Sequence, residues 1–409
     1  MSAPAAGKDA WLPVTPAGRL VLWGSMLLGF ALKVAIVFTD DGINWPDEIY
    51  QSFEPAHRLV FGHGLVAWEF LEGARTWAVP GFVAVWLWVC KLVGADSPAT
   101  YVHVVKLVFA VLSASAAWGT YRLVRSFGGR ELEAAVASAT WSLCALALYF
   151  SARAMSENLS APLLVWGVAL VLGDDSQRRE RIFGASLLGL ATLARLQSGV
   201  VCLVVVLISL APKSVAELPL TPRARQLNRV AVVLAMLGAL SAFTLTEPRW
   251  ATVFAVGAMV AAGAAWLSTG RWRALSWKPA LEVLGVLTVW ALIYGAWDAA
   301  AWHALPTAKA GGFFHSAVVY WRFNIVENRG AGWGTAPWSY FFTSLFRTMP
   351  GVSVALLISA VLCVRRGWKV LLIIAAFLAL HLFVSHKELR FIVPIMPLAC
   401  ALIGLALSQ

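Results

Sequence analysis

Long apolar runs separated by short polar segments dominate the chain. Runs near the ~20 residues a helix needs to cross a bilayer recur at roughly 20–38, 77–93, 102–121, 134–151, 157–172, 182–210, 229–246, 250–267, 280–301, 350–364, 367–385 and 391–408. The pattern predicts an all-α integral membrane protein with about 10 to 13 transmembrane helices, organised as a single polytopic domain over residues 1–409. No basic stretch immediately precedes the first run and no small-residue cleavage site follows it, so it reads as a retained helix rather than a signal peptide.

Composition agrees: 60% of the residues are hydrophobic and 13% are charged, about half the charged fraction of a soluble domain. The net charge of +11 could suggest nucleic acid as a partner. The basic residues, however, stand in short clusters between apolar runs, which is the pattern of cytoplasmic anchoring beside a lipid bilayer. Cys90, Cys144, Cys202, Cys363 and Cys400 fall within or at the ends of apolar runs without pairing or metal-ligand spacing, so neither a disulfide framework nor a zinc site is implied.

The basic clusters also set the topology. Lys8 with Arg19, Arg122 to Arg130, Arg178 to Arg181, Lys213 to Arg229, Arg271 to Lys278, and Arg365 with Arg366 mark the cytoplasmic side. Segments 39–76, 153–158, 302–349 and 386–390 then face outward, and the run at 182–210 crosses twice or turns back near Arg195. The count leaves one crossing too many before residue 122, so 77–93, which begins beside Arg75, Trp77 and Pro80, is expected to be interfacial, re-entrant or tilted rather than a plain span.

Three outward segments carry the candidate chemistry. Residues 39–76 hold Asp40, Asp41, Asp47, Glu48, Glu54, Glu69 and Glu72, a third of the chain's 21 acidic residues. Pro46-Asp47-Glu48 places two carboxylates just beyond the first helix, where a general base could meet a substrate at the membrane surface. A merely solvated acidic loop is the bland alternative. Trp45, Tyr50, Phe53, His57, Phe61, His63, Trp68 and Phe70 argue against it, because such rings build sugar-stacking and interfacial surfaces. The segment 302–349 is rich in aromatic residues, Gly and Asn, and an interfacial aromatic belt is its bland reading. His386-Lys387-Glu388-Leu389-Arg390-Phe391 packs ionisable groups into a turn between apolar runs, where they are costly and usually functional.

The run Pro46-Asp47-Glu48, Glu54-Pro55-Ala56-His57, Gly64, Trp68-Glu69 and Arg75 resembles the first lumenal loop of glycosyltransferase family 22. Ser385 to Pro394 (SHKELRFIVP) is similar to that family's HKE-x-RF-x-x-P motif. Arg153 to Asn158, Arg195 and Phe323 to Trp338 resemble family segments in the same order. These segments also look like those of the branch that adds the third mannose of glycosylphosphatidylinositol anchors. Trp45 stands where that branch usually has His.

The resemblance implies a GT-C-type fold with a helical module at about 20–210, and an enzyme: an inverting mannosyltransferase that takes its sugar from a polyprenyl (dolichyl) phosphate carrier. The second substrate would be a lipid-linked or glycan acceptor. Such a donor brings its own leaving group, so the protein supplies a base for the acceptor hydroxyl and cations for the phosphate. Asp47 is assigned as base and Glu48 as its partner or as an acceptor-positioning group. Lys387, Arg390, Arg75 and His386 are assigned to the donor phosphate. Glu54, His57, Trp68, Glu69, Arg153, Glu157, Asn158, Asn324 and Trp338 are assigned to substrate binding. No cofactor or metal is implied. The membrane would be the inner membrane of a bacterium or the endoplasmic reticulum of a eukaryote, with the site on the outer or lumenal side. The rivals are a transporter or flippase of lipid-linked sugars, for which Arg195 inside an apolar run is the best argument, and a non-catalytic family member.

Overall fold

The computed structural model describes residues 11–40, 43, 45–150, 152–211, 222–244, 257, 261, 275–303 and 311–409. Lys8, Asp41, Lys213, Arg271, Arg273 and nearly all of the run at 250–267 lie outside them. Every regular element among the described residues is helical. The chain divides into two compact units, Met1–Ile208 with Leu281–Gln409, and Ser209–Ala280. The described part of the second holds the helix Pro222–Thr244.

The larger unit begins with α1 (Pro16–Thr39), α2 (Ala78–Leu92), α3 (Pro98–Ser126), α4 (Glu131–Leu143), α5 (Ser156–Leu172), α6 (Arg178–Ala194) and α7 (Gly199–Ser209). It ends with α8 (Trp277–His303, within this unit from Leu281), α9 (Pro350–Leu362), α10 (Trp368–Leu382) and α11 (Met396–Leu407). Four helical stretches are long and apolar enough to cross a membrane: Pro16–Thr39, Pro98–Ser126, Trp277–Ala301 and Leu389–Leu407. Five shorter apolar helices accompany them. The protein is therefore multi-pass, although fewer helices than the 10 to 13 expected meet a spanning length among the described residues. At 1.5 Å per residue, the 15 residues of α2 reach about 22 Å, short of the ~30 Å hydrocarbon core.

The centre of the unit is α11, which packs on α3, α4, α9 and α10, while α5 lies between α3 and α6. With no water to exclude from between helices in a bilayer, close backbone approach supplies the attraction. Small residues permit it. A Cβ on Gly167 of α5 would stand 2.9 Å from the carbonyl oxygen of Gly184 on α6, and the reverse distance is also 2.9 Å. The same reasoning applies to Gly29 of α1, whose Cβ would stand 2.5 Å from Ser142 O.

Two expected runs are broken. The run at 134–151 stops at Cys144 in extended conformation. There Lys33, buried in α1, donates from Nζ to Ser142 O at 3.1 Å, covering a carbonyl that the ended helix leaves open. The run at 182–210 breaks at Arg195 (φ −148°, ψ 108°) and resumes through a 3₁₀ turn, Leu196–Ser198.

Candidate active site

The chain leaves α1 and enters a helical turn, Pro46–Glu48, with Pro46 at its first position and the Glu48 carboxylate accepting from Trp45 N–H at 3.4 Å. Neighbouring residues on a helix point ~100° apart, so the adjacent carboxylates diverge. Asp47 faces a cavity. Glu48 turns inward, is fully buried, and meets Arg153 Nη1 at 3.2 Å, while Arg153 Nη2 holds Asp40 at 3.2 Å. Burial pushes the Glu48 carboxyl up from its ordinary value, with Arg153 pulling against it. The turn continues as a π-helix, Ile49–Phe53, a form that recurs at functional sites.

Asp47 is paired across the fold. Its Oδ2 lies 2.6 Å from Arg390 Nη1. The same guanidinium grips Glu388, with Nε to Oε2 at 2.7 Å and Nη2 to Oε1 at 3.0 Å, a forked geometry that only arginine offers. Glu388 also meets His386 Nε2 at 2.9 Å. Burial would raise the Glu388 carboxyl, but Arg390 and His386 hold it below the ordinary range. Trp45 supports this arrangement, with Arg390 Cζ 5.2 Å from its ring centroid, a cation–π contact.

The cavity has a volume of about 1410 Å³. Its polar centre is formed by Asp47, Glu157, Arg75, Arg195 and Arg390. Arg195 is paired with Glu157 at 2.9 Å and donates to Ser156 at 3.1 Å. Arg75 differs: its guanidinium lies 5.7 Å from the Tyr320 ring centroid, and among the described residues no carboxylate comes within ion-pair distance of it. One wall is apolar and comes from α7, the end of α10 and the residues just after it, through Val200, Leu203, Leu380 and Val384. Another is aromatic: Trp68 stacks on Phe323 at 4.7 Å and on Trp333 at 5.6 Å. No three His, Cys, Asp or Glu side chains cluster as metal ligands among the described residues.

Of the residues assigned from sequence, Asp47, Arg75, Arg390, His386, Trp68, Glu69, Glu157 and Asn324 all line this cavity. The others stand elsewhere. Lys387 is buried and donates to the carbonyls of Ala336 at 3.0 Å and Val384 at 2.6 Å, and burial lowers its pKa. It fastens the loop before Pro337 to the turn that carries Arg390. Asn158 donates to Phe150 O at 2.5 Å and Arg153 O at 2.8 Å, which holds the turn bearing Arg153. Glu54 accepts from Leu65 N–H at 2.7 Å, and His57 contacts His63 O at 2.8 Å, so these two close the loop between them. Trp338 lies against Phe342, 6.3 Å between ring centroids, outside the cavity lining.

Several lining groups were not assigned. Gln51 donates to Glu69 at 2.9 Å, and Gln197 bonds the Tyr320 hydroxyl. His381 lines the wall from α10. Arg195 drew notice as an anomaly inside an apolar run and as part of the family resemblance, without a role. That anomaly was the available signal, since a neutral amide in a helix has none.

Comparisons with known proteins fit this picture. Residues 25–409 match the Alg9-like mannosyltransferase family. The chain is 26% identical to Mannosyltransferase APTG1 of Arabidopsis thaliana over 89% of its own length and 55% of that protein. It is 22% identical to human GPI alpha-1,2-mannosyltransferase 3, covering 94% of this chain and 57% of that one. Against GPI mannosyltransferase 3 of Drosophila melanogaster the identity is 25%, with 94% and 56% covered. The chain thus spans little more than half the length of these relatives. An Archaeoglobus fulgidus oligosaccharyltransferase superposes with a TM-score of 0.45 at 14% identity, over 94% of this chain and 48% of that one, a level of likeness from which no mechanism follows.

Proposed function

We propose, for a chain that belongs to the Alg9-like mannosyltransferase family, that it transfers mannose within the membrane from a polyprenyl-phosphate carrier to a lipid-linked or glycan acceptor. The observation that carries this reading is the convergence of Asp47, Arg75 and Arg390 on one cavity, although they come from segments more than 300 residues apart.

The roles follow from charge. Asp47 takes the proton from the acceptor hydroxyl. The acceptor oxygen forms the new bond to the anomeric carbon as the carbon–oxygen bond to phosphate breaks, and polyprenyl phosphate leaves. Direct displacement inverts the anomeric centre. Arg75, which forms no ion pair among the described residues, supplies positive charge for the phosphate. Arg390 is the second donor to the phosphate, and it stands directly against Asp47. Glu388 and His386 orient Arg390. The apolar wall of Val200, Leu203, Leu380 and Val384 suits the polyprenyl chain. With the basic clusters on the cytoplasmic side, the reaction takes place on the outer face of a bacterial inner membrane or the lumenal face of the endoplasmic reticulum.

The test is transfer of radiolabelled mannose from polyprenyl phosphate by the purified protein in nanodiscs, with EDTA present and a panel of lipid-linked and free glycan acceptors. The reading predicts acceptor-dependent, EDTA-insensitive product with an α linkage. Movement of intact lipid-linked sugar across the bilayer without bond exchange would place the chain among transporters instead.

A further inference from the structure

The aromatic wall stands apart from the charged centre in make-up and support. Trp68, Phe323 and Trp333 form a three-ring cluster with centroids 4.7, 5.6 and 5.8 Å apart, although Trp68 comes from the first outward segment and its partners lie about 250 residues later. Rings that only anchor a protein at a bilayer surface sit at headgroup level with their polar edge toward water. Here Trp68 instead stacks on both partners, while Phe323 and Trp333 are tilted to each other by 40°. Trp68 is 37% exposed and Trp333 58% exposed, so both offer surface beside the charged centre.

The loop that carries Trp333 is fixed to the catalytic turn at three points. His386 Nδ1 bonds Gly334 O at 3.1 Å, Lys387 Nζ bonds Ala336 O at 3.0 Å, and Ala336 N–H donates to Ser385 O at 3.0 Å. Asn324 is set in a second π-helix, Arg322–Val326. Its Nδ2 donates to Tyr320 O at 3.1 Å, which turns the amide oxygen toward buried Gly330, where a Cβ would stand 3.1 Å away. Glu69, held by Gln51, lies on the same cavity lining.

Aromatic faces flanked by fixed amide and carboxylate groups match the chemistry of a pyranose ring, whose C–H face stacks while its hydroxyls hydrogen-bond. A polyprenyl chain has no use for the polar flank, and the α7 and α10 wall already offers it an apolar path. We propose that Trp68, Phe323 and Trp333, with Asn324 and Glu69, form the subsite for the saccharide part of the acceptor, and that Lys387 and His386 set its distance from Asp47. The proposal rests on the transferase reading.

Trp333→Ala and Trp333→Phe test it, since Trp333 is half-exposed and neither change disturbs the core. With donor and acceptor varied separately, the proposal predicts an acceptor KM at least about tenfold higher in Trp333→Ala, an unchanged donor KM, and recovery in Trp333→Phe. A rise in donor KM, or no change in either constant, overturns it. Saturation-transfer NMR of the intact protein with methyl α-mannoside and α-1,2-mannobiose reads the subsite without turnover. Contact that is lost in Trp333→Ala and kept in Trp333→Phe supports the subsite even if the protein transfers no mannose. Contact that is absent in the wild type, or indifferent to Trp333, contradicts the subsite while leaving the transferase reading to its own assay.

Discussion

The carboxylate of Asp47 lies 2.6 Å from the guanidinium of Arg390, which joins the segment after α1 to the turn before α11 across 343 residues of sequence. The same guanidinium also grips Glu388, so one arginine ties two carboxylates together. The pair sets the proposed base against the group proposed to receive the donor phosphate.

Arg75 separates binding from chemistry. Arg75→Gln keeps hydrogen-bonding capacity and removes the charge. Losing one stabilising donor at a developing negative charge typically lowers turnover by about 10² to 10³-fold. Steady-state kinetics on the purified variant should show kcat reduced by that order. A normal kcat would move the phosphate to another cation.

Arg153 is expected to act through folding. It is 4% exposed and its partner Glu48 is fully buried, so Arg153→Met leaves a buried carboxylate without its partner, at a cost of about 3–5 kcal/mol. Thermal unfolding in detergent should show the loss, and adding Glu48→Leu should restore most of it. If the single variant unfolds like the wild type, the pair is not structural.

Two glutamates should oppose each other in the pH dependence of stability. Glu388 is depressed by Arg390 and His386, so its contribution is present above the ordinary value of about 4.3 and is lost as pH falls through its own lower value. Glu48 is raised by burial: its carboxyl is accommodated best when protonated, and stability declines as pH rises from about 4.3 through its higher value. Unfolding midpoints between acid and neutral pH should therefore lose their acid-side fall in Glu388→Gln and their decline toward neutrality in Glu48→Gln. Unaltered profiles would contradict both environments.

Lys387→Ala distinguishes a phosphate contact from a staple. Nζ is engaged by two carbonyls, and hydrogen bonds from a charged group contribute about 1.5–3 kcal/mol. The expected result is a lower unfolding midpoint and a higher acceptor KM with an unchanged donor KM. Weaker donor binding alone would return Lys387 to the phosphate.

Asp47, Arg75 and Arg390 were legible because carboxylates and arginines beside apolar runs are costly and stand out. Lys387 and Glu48 were legible as residues but not as roles. Adjacent positions on a helical turn diverge, and nothing local states which of two neighbours faces the cavity. Glu54, His57 and Asn158 carry the right chemistry but bond to nearby backbone, a competition that composition does not reveal. The fold shows the same limit. Apolar runs located the helices, but the break at Cys144 lies beside a bond from Lys33 to Ser142 that joins residues 109 apart. The two π-helices beside the cavity carry no propensity signature.

The central claim is that Asp47 is the base, and Asp47→Asn tests it most directly because it keeps the shape while removing the charge. General-base catalysis contributes about 10² to 10⁴-fold in rate. Single-turnover transfer of mannose from polyprenyl phosphate to a lipid-linked acceptor should fall by that order in Asp47→Asn, with donor binding largely kept. Near-normal transfer in Asp47→Asn alongside loss of transfer in a folded Glu48→Gln variant would contradict the account.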